Sequence, residues 1–233
     1  MDRIVLITGA KGGLGSFVTQ AFLAAGDTVV GTSRSIQASD FPNPRFVASA
    51  ADLTDGASAR RLVESVVARF QRIDSLVHVT GGFSGGKPVA ETDDVTWDLM
   101  MSLNVRSAFH IFRAVIPPMR AAAQGRIVAI ASRAAAEPAA NIAAYAASKS
   151  ALVMLVRSAA LENVDLGITI NAILPGTMDT EANRKADPQA DFSRWVSPGN
   201  VAELEAGKKK NPSLAVLKRI AKTLGVPVAE RLE

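Results

Sequence analysis

The chain contains no cysteine, two histidines and a single tyrosine among its 233 residues. Disulfides, thiolate metal sites and cysteine nucleophiles are thereby excluded, and two histidines are too few for a histidine-rich cluster, so we expect no metal site. No apolar run approaches the roughly 20 residues that a membrane span requires. The chain enters an apolar run almost at once and lacks the layout of a signal peptide. We therefore expect a cytoplasmic protein without a membrane partner.

The mild net charge of +4 is unevenly distributed along the chain. Residues 201–233 hold seven Lys/Arg and four Asp/Glu, which places +3 of the total in this segment. Such asymmetry indicates a carboxyl-terminal segment of different character. We predict a main domain over residues 1–204 and an atypical helical segment over residues 205–233.

An apolar run followed by a glycine-rich turn opens the chain. Residues 3–15 read RIVLITGAKGGLG, in which a strand-like run precedes four glycines and a helix-like pattern. Glycines let the backbone approach a pyrophosphate closely, and a helix N-terminus offers free N–H groups and a positive dipole. The stretch predicts a dinucleotide site that includes Gly9, Gly13, Leu14 and Gly15.

Strand-like and helix-like segments alternate along the rest of the main domain. Further strands are predicted over residues 28–34, 45–48, 73–82, 125–132 and 167–176. Helical periodicity runs from Trp97 to Met119, where Pro117 and Pro118 are expected to end the helix, and again over Ala143–Leu161. This alternation predicts right-handed βαβ units and a Rossmann-type, doubly wound α/β sheet. Its ligands would lie at the carboxyl ends of the strands.

The end of the second predicted strand indicates which dinucleotide fits. An acidic residue there would bind a ribose 2′-OH, whereas basic residues suit a 2′-phosphate. This strand ends in Thr32-Ser33-Arg34, and Lys11 lies in the glycine turn, so NADP is favoured over NAD. The alternative is that both cations are solvated surface charges. Asp52 and Leu53 follow the third strand, where the acid can bind the adenine amino group, cap the next helix, or do both.

The strongest chemistry lies between residues 125 and 149. Ser132 ends a predicted strand, and Tyr145 and Lys149 lie four residues apart on one face of the next helix. A tyrosine with its ordinary pKa near 10 is a poor acid–base group at neutral pH, and a neighbouring ammonium is expected to lower that pKa. Because Tyr145 is the only tyrosine, chance placement explains the pattern poorly. The three side chains predict a proton donor or acceptor for a carbonyl or alcohol.

With these motifs the chain resembles the short-chain dehydrogenase/reductase family over about residues 1–203. TGAKGGLG is similar to its TGxxxGxG turn, YAASK to its YxxxK pair, and LPGTMDT to the segment that contacts the nicotinamide end of the cofactor. The resemblance implies that Tyr145 is the general acid/base and Lys149 binds the nicotinamide ribose. It also implies that Ser132 orients the carbonyl, and that Asn104 distorts its helix and holds a relay water. The implied cofactor contacts further include Gly81, Pro175, Gly176, Thr177 and Thr180.

Two departures indicate a branch of this family. The family commonly has NNAG after the fourth strand, where this chain has His78-Val79-Thr80-Gly81. Residues 81–86 and 178–195 are similar to segments of dihydropteridine reductases, which generally use NADH and lack the catalytic serine. We therefore predict a relative of those enzymes with a carbonyl-reducing site. Residues 182–195 would form a substrate lid, and Phe83, Phe192 and Trp195 would either contact a planar substrate or pack within the lid.

The tail departs from the family altogether. Residues 205–233 resemble the second half of a Cro/repressor-type helix-turn-helix domain, without its scanning helix. We do not expect specific DNA binding, because no complete recognition unit remains to enter a major groove. A helical cap in place of the usual seventh strand is favoured over a loosely attached tail, and an engineered or recombined chimera is a further hypothesis.

Together these patterns predict a six-stranded, NADP-preferring oxidoreductase that acts on a small-molecule carbonyl or alcohol, with a homo-oligomer as one possible assembly. The alternative is a catalytically weak dinucleotide-binding scaffold whose basic tail mediates a protein or nucleic-acid interaction.

Overall fold

The computed structural model describes residues 3–137, 139–186 and 188–199. Within them, six parallel strands form one sheet in the order β3-β2-β1-β4-β5-β6. The strands are β1 (Ile4–Thr8), β2 (Thr28–Thr32), β3 (Phe46–Ala48), β4 (Ser75–His78), β5 (Gly125–Ile130) and β6 (Ile168–Ile173). The helices of this part of the chain are α1 (Gly13–Ala24), α2 (Gly56–Phe70), α3 (Asp94–Met101), α4 (Ser107–Ala121), α5 (Ala143–Leu161) and α6 (Glu181–Ala186). The predicted Rossmann-type fold is confirmed.

The sheet separates two hydrophobic clusters. In β1, Ile4 and Leu6 pack in a cluster with α2, α4 and α5, whereas Val5 and Ile7 pack in a cluster with α1. Because successive strand residues point to opposite faces, the two clusters lie on opposite sides of the sheet. All five residues of β1 are buried, as expected of a central parallel strand. None of the helices in the described ranges is long and apolar enough to cross a membrane.

Four of the six predicted strands, those over residues 28–34, 73–82, 125–132 and 167–176, extend beyond the observed strands at their carboxyl ends. The fourth was predicted to run to Gly82, but β4 ends at His78, and Val79 N–H makes one last bond to Thr8 O at 3.2 Å. The chain then turns away because β1 ends at the same level, where Thr8 pairs with His78. The residues freed from the sheet form the loops of the carboxyl edge, where the order reverses between β1 and β4 and ligands of such sheets bind.

The helix predicted from Trp97 to Met119 differs from the observed one in two ways. A π-helical turn at Ser102–Arg106 separates α3 from α4, so the distortion expected at Asn104 is present. The helix was predicted to end at Pro117 and Pro118. It instead continues through both prolines to Ala121. Pro117 lies on the exposed side, where water can satisfy the carbonyls that lose a partner, and continuing the helix buries Met119 in the core.

Candidate active site

The glycine turn after β1 is closed too tightly to accept side chains. Gly9 has φ of 64°, and Gly12 N–H donates to Gly9 O at 2.9 Å. A Cβ on Gly15 would lie 2.0 Å from Gly9 O, and one on Gly9 would lie 2.9 Å from Thr80 N. Leu14 is buried in the α1 cluster and anchors the helix that follows. The turn therefore brings backbone to the carboxyl edge with no side chain in the way.

The amino end of α1 is suited to bind a phosphate. Its N-cap is Gly12, no side chain caps it, and the first turn contains no acidic residue. The leading N–H groups of a helix lack partners within the helix, and the helix dipole favours an anion there. Gly13 and Gly15 add no side chain to this end of the helix. These features fit the pyrophosphate of a dinucleotide.

The loops after β1 and β2 carry the charges that the sequence assigned to a 2′-phosphate. Arg34 is exposed and lies close enough to Asp52 to help lower the pKa of that carboxyl. Lys11 Nζ lies 2.9 Å from Asp40 Oδ1 and donates a long bond of 3.4 Å to Ser35 O. Asp40 was missed because no motif at its position indicates a site. The structure thus brings both predicted cations to the loops that follow β1 and β2.

Asp52 does not cap α2, which corrects one of the two alternatives given for it. Its Oδ1 accepts bonds from Thr54 N–H at 2.9 Å and from the Thr54 hydroxyl at 2.7 Å, and these bonds lower its pKa. Asp55 is the N-cap and accepts from the Ala57 and Ser58 N–H groups. Asp52 is one turn too early, because the chain makes a further turn before α2 begins. Leu53 is buried and its carbonyl oxygen contacts His110 Nδ1 at 3.0 Å.

Ser132, Tyr145 and Lys149 converge at the carboxyl edge. The Ser132 side chain, two residues beyond the end of β5, lies close enough to the Tyr145 hydroxyl to act on the pKa of that group. Lys149 Nζ donates to Ile130 O at 2.9 Å and lies 5.9 Å from the centroid of the Tyr145 ring. The ring of Phe83 packs edge-on against Tyr145 with centroids 4.9 Å apart. The three predicted residues therefore form one cluster, with Phe83 beside it.

Burial controls the proton affinities in this cluster. Burial raises the pKa of Tyr145 above its ordinary value, and the hydrogen bond from Ser132 opposes this only in part. The expected lowering of this pKa by Lys149 is therefore wrong for this structure, because the ammonium is turned toward Ile130 O while burial disfavours the phenolate. Burial also lowers the pKa of Lys149 to about 8. At neutral pH Tyr145 is a proton donor.

Asn104 ties the loop after β4 to α5. Its side chain is fully buried in the π-helical turn, where Nδ2 donates to Gly82 O at 3.0 Å and to Ser148 Oγ at 2.9 Å. Its Oδ1 accepts from Gly82 N–H at 2.9 Å. A Cβ on Gly81 would lie 2.7 Å from Asn104 Oδ1 and 3.1 Å from Lys149 Nζ. Asn104 thus holds the chain beside Lys149, while the relay water stays a prediction.

His78, which takes the place of an asparagine of the family pattern, is part of the scaffold beneath this edge. It is fully buried, with Nδ1 at 2.9 Å from Thr8 Oγ1, and Thr80 N–H donates to the same hydroxyl at 3.2 Å. Burial, with a smaller effect of the Lys149 charge, lowers its pKa to about 3, so the ring is neutral. Through Thr8 the ring joins the ends of β1 and β4.

The loop after β6 reaches the glycine turn. Pro175 O accepts from Arg133 N–H at 2.9 Å, next to Ser132, while Thr177 O accepts from Val196 N–H at 2.8 Å. A Cβ on Gly13 would lie 3.1 Å from Thr180 Cγ2. This loop therefore borders both the Ser132 end of the site and the start of α1. The contact of Pro175, Gly176, Thr177 and Thr180 with the nicotinamide end of the cofactor stays a prediction.

The predicted lid is partly described. Phe192 and Trp195 pack against each other with ring centroids 4.7 Å apart, and Arg184 covers the Phe192 ring at 4.6 Å. Arg184 also pairs with Asp179 at 2.8 Å through Nη2. These contacts favour packing within the segment as the role of Phe192 and Trp195. Of Phe83, Phe192 and Trp195, only Phe83 packs against the Tyr145 ring.

Comparisons with known proteins agree with this geometry. The sequence model of the short chain dehydrogenase family matches residues 3–191. The 2,3-dihydro-2,3-dihydroxybenzoate dehydrogenase of Escherichia coli is 32% identical over 196 residues, covering 83% of this chain and 73% of its own. The 3-oxoacyl-(acyl-carrier-protein) reductase FabG of Salmonella typhimurium is 31% identical over 210 residues, covering 88% and 83%. The solved structure "ElxO with NADP Bound" superposes with a TM-score of 0.83 at 26% identity, covering 91% and 94%.

A parallel sheet with a glycine turn at its switch point is typical of dinucleotide-binding proteins. The chain belongs to the short chain dehydrogenase family of oxidoreductases. A helix-turn-helix model matches residues 191–231, in agreement with the resemblance seen in the tail. The expected helical cap falls on residues outside the described ranges. The domain boundary at 204 and the dihydropteridine-reductase-like branch stay predictions.

Proposed function

We propose that this chain transfers a hydride between NADP(H) and a small carbonyl or alcohol, with Tyr145 as the general acid/base. The observation that carries the proposal is the convergence of Ser132, Tyr145 and Lys149 at the carboxyl edge of the sheet. Two hydroxyl groups at one place can donate to the same substrate oxygen. ElxO, a similar protein, has been solved with NADP bound, and FabG is named as a 3-oxoacyl reductase.

The residues present fit a phosphorylated dinucleotide. The cradle of Gly9 and Gly15 admits backbone approach but no side chain, and the uncapped start of α1 would hold the pyrophosphate. Lys11 and Arg34 would hold the 2′-phosphate, because both stand where β1 and β2 end and no acidic residue directly follows β2. When bound, the reduced nicotinamide supplies the hydride.

The chain's own residues would manage the proton. Tyr145, protonated at neutral pH because its pKa is raised, would give its Oη proton to a carbonyl oxygen as negative charge develops there. Ser132 would donate to the same oxygen and orient it. The charged Lys149 Nζ has three N–H groups, one of which donates a hydrogen bond to Ile130 O. The other two would be available to the hydroxyls of the ribose. Asn104 would keep Lys149 and the loop after β4 in place.

A parallel titration tests the cofactor assignment. NADPH is expected to bind about tenfold more tightly than NADH, since hydrogen bonds between charged groups contribute about 1.5 kcal/mol or more. Arg34→Ala should remove most of this preference, whereas Arg69→Ala, on the far end of α2, should leave it unchanged. Nucleotide fluorescence gives both dissociation constants. Equal or tighter binding of NADH by the wild type would refute the NADP assignment.

A substrate panel tests the branch and the alternative function. Carbonyl compounds and quinonoid dihydropterin are offered with NADPH, and turnover of a carbonyl is expected. Cofactor binding without turnover of any compound, together with salt-sensitive retention on DNA, would favour the scaffold with a basic tail instead. The expected lack of specific DNA binding and the expected homo-oligomer are predictions to be checked in the same preparations.

A buried lysine predicts an unusual effect on stability. Below about pH 8 the folded chain holds a charged, buried Lys149, which costs about 3 kcal/mol relative to an ordinary lysine, and this cost fades as the pH approaches 10.5. Lys149→Met should therefore raise the free energy of unfolding at pH 7 by about 2 kcal/mol after losing the bond to Ile130 O. Turnover should fall sharply.

Urea unfolding at pH 7 and pH 10 checks this sign. The gain from Lys149→Met should be largest at pH 7 and nearly absent at pH 10. Arg157→Met is the matched control, because Arg157 is exposed on the same helix and its replacement should have little effect at either pH. A loss of stability at pH 7, or a gain that does not change with pH, would contradict the account.

A further inference from the structure

An ion pair connects the loops after β1 and β2. Lys11 Nζ lies 2.9 Å from Asp40 Oδ1, and the two residues are 29 positions apart in sequence. The Asp40 side chain is 21% exposed and that of Lys11 is 44% exposed. The same ammonium reaches Ser35 O at 3.4 Å. Lys11, which the sequence assigned to a 2′-phosphate, therefore already has an anionic partner supplied by the chain itself.

Asp40 is fixed in place independently of Lys11. It ends a short 3-10 turn, Ala38–Asp40, and its Oδ2 accepts from Gln37 N–H at 2.8 Å. The backbone N–H of Asp40 in turn donates to Gln37 O at 3.1 Å, which closes the turn. The bonds to Gln37 and Lys11 lower the pKa of Asp40 and keep it ionised at neutral pH. Lys11, on a long flexible stem, is the partner free to move between Asp40 and another anion.

We propose that Asp40 is a specificity-determining residue that competes with the 2′-phosphate of the cofactor for Lys11. The proposal rests on the NADP preference proposed above. A phosphate that binds the Lys11 ammonium must first break its ion pair with Asp40. The phosphate must also lie near the Asp40 carboxylate, and the two negative charges repel each other. A cofactor with a plain 2′-hydroxyl bears neither cost. Asp40 therefore weakens binding of NADPH and leaves binding of NADH nearly unchanged. It thus reduces the preference for NADPH over NADH that Lys11 and Arg34 provide.

Asp40→Asn removes the negative charge of this residue while keeping the local fold. The asparagine amide oxygen can still accept from Gln37 N–H, so the 3-10 turn is retained, while the charge facing Lys11 is lost. We expect NADPH to bind about three- to fivefold more tightly, which is the size of an exposed ion pair, with no change for NADH. Glu64→Gln, an exposed carboxylate on α2, makes the same change of net charge away from this loop and should alter neither affinity.

A double-mutant cycle with Lys11→Gln shows whether Asp40 acts through Lys11. In the Lys11→Gln background, Asp40→Asn should gain less for NADPH than it does in the wild type. If the wild type prefers NADPH but Asp40→Asn leaves its affinity unchanged, weakens it, or tightens NADH equally, the inference is overturned and the proposed function stands. If the wild type binds NADPH no more tightly than NADH, the cofactor assignment and this inference both fail.

Discussion

Tyr145→Phe should reduce carbonyl turnover about 100- to 10,000-fold, the range that a positioned acid contributes. The change removes only the hydroxyl, which lies beside the Ser132 side chain and whose raised pKa keeps its proton available at neutral pH. The ring remains packed against Phe83, so the fold should be preserved. Initial rates of NADPH oxidation with an active carbonyl measure the loss.

Two measurements separate this effect from damage to the site. The dissociation constant for NADPH should stay within about twofold of the wild type, since no glycine, helix end or cation of the nucleotide site is touched. Phe83→Leu, which alters the ring beside Tyr145 without removing a proton donor, should cost far less activity. Turnover in Tyr145→Phe within tenfold of the wild type would exclude Tyr145 as the acid.

Gly15→Ala should abolish nucleotide binding. A Cβ at this position would lie 2.0 Å from Gly9 O and 2.8 Å from Gly9 C, and both are backbone atoms that no rotamer change can move away. The glycine turn or the first turn of α1 must shift, which misplaces the N–H groups meant for phosphate. We expect affinity for NADPH to fall at least about 100-fold and stability to fall by about 1–3 kcal/mol, as for overpacked sites.

Gly26→Ala is the matched control for this substitution. Gly26 has φ of 84°, so alanine is strained there, but no atom lies within 4 Å of the new Cβ. It should cost roughly 1 kcal/mol of stability through backbone strain alone and leave NADPH affinity intact. If Gly15→Ala binds NADPH as the wild type does, or if both variants lose binding equally, the glycine turn is not the nucleotide cradle.

Most of the fold follows from periodicity and glycine placement. The apolar run Ile4–Ile7 lies in a fully buried central strand, and Ala143–Leu161 forms one helix as predicted. Pro117 and Pro118 were expected to end a helix because proline removes a donor. The helix can continue through the two prolines because Pro117 faces water and because the next turn buries Met119 in the core. Neither condition can be inferred from the local sequence.

The residues of the candidate site were more predictable than their energetics. Ser132, Tyr145 and Lys149 could be found because a strand end and a helical spacing of four place them together. The sequence predicted a lowered pKa for Tyr145, whereas the structure raises it. The sign depends on burial and on where the Lys149 ammonium points, and the sequence shows neither. Asp40 was missed for a similar reason, since its pairing with Lys11 joins two loops whose proximity is set by the sheet.

Transfer of deuterium from stereospecifically labelled NADPH tests the central claim most directly. The wild-type protein is incubated with NADPH deuterated at the transferable position of the nicotinamide and with the best carbonyl from the panel, and the product is analysed by mass spectrometry. The account predicts an alcohol that carries one deuterium on the former carbonyl carbon. It should form from one of the two labelled cofactor epimers, and about 100- to 10,000-fold more slowly with Tyr145→Phe. Bound NADPH with no deuterium in any product across the panel would contradict it.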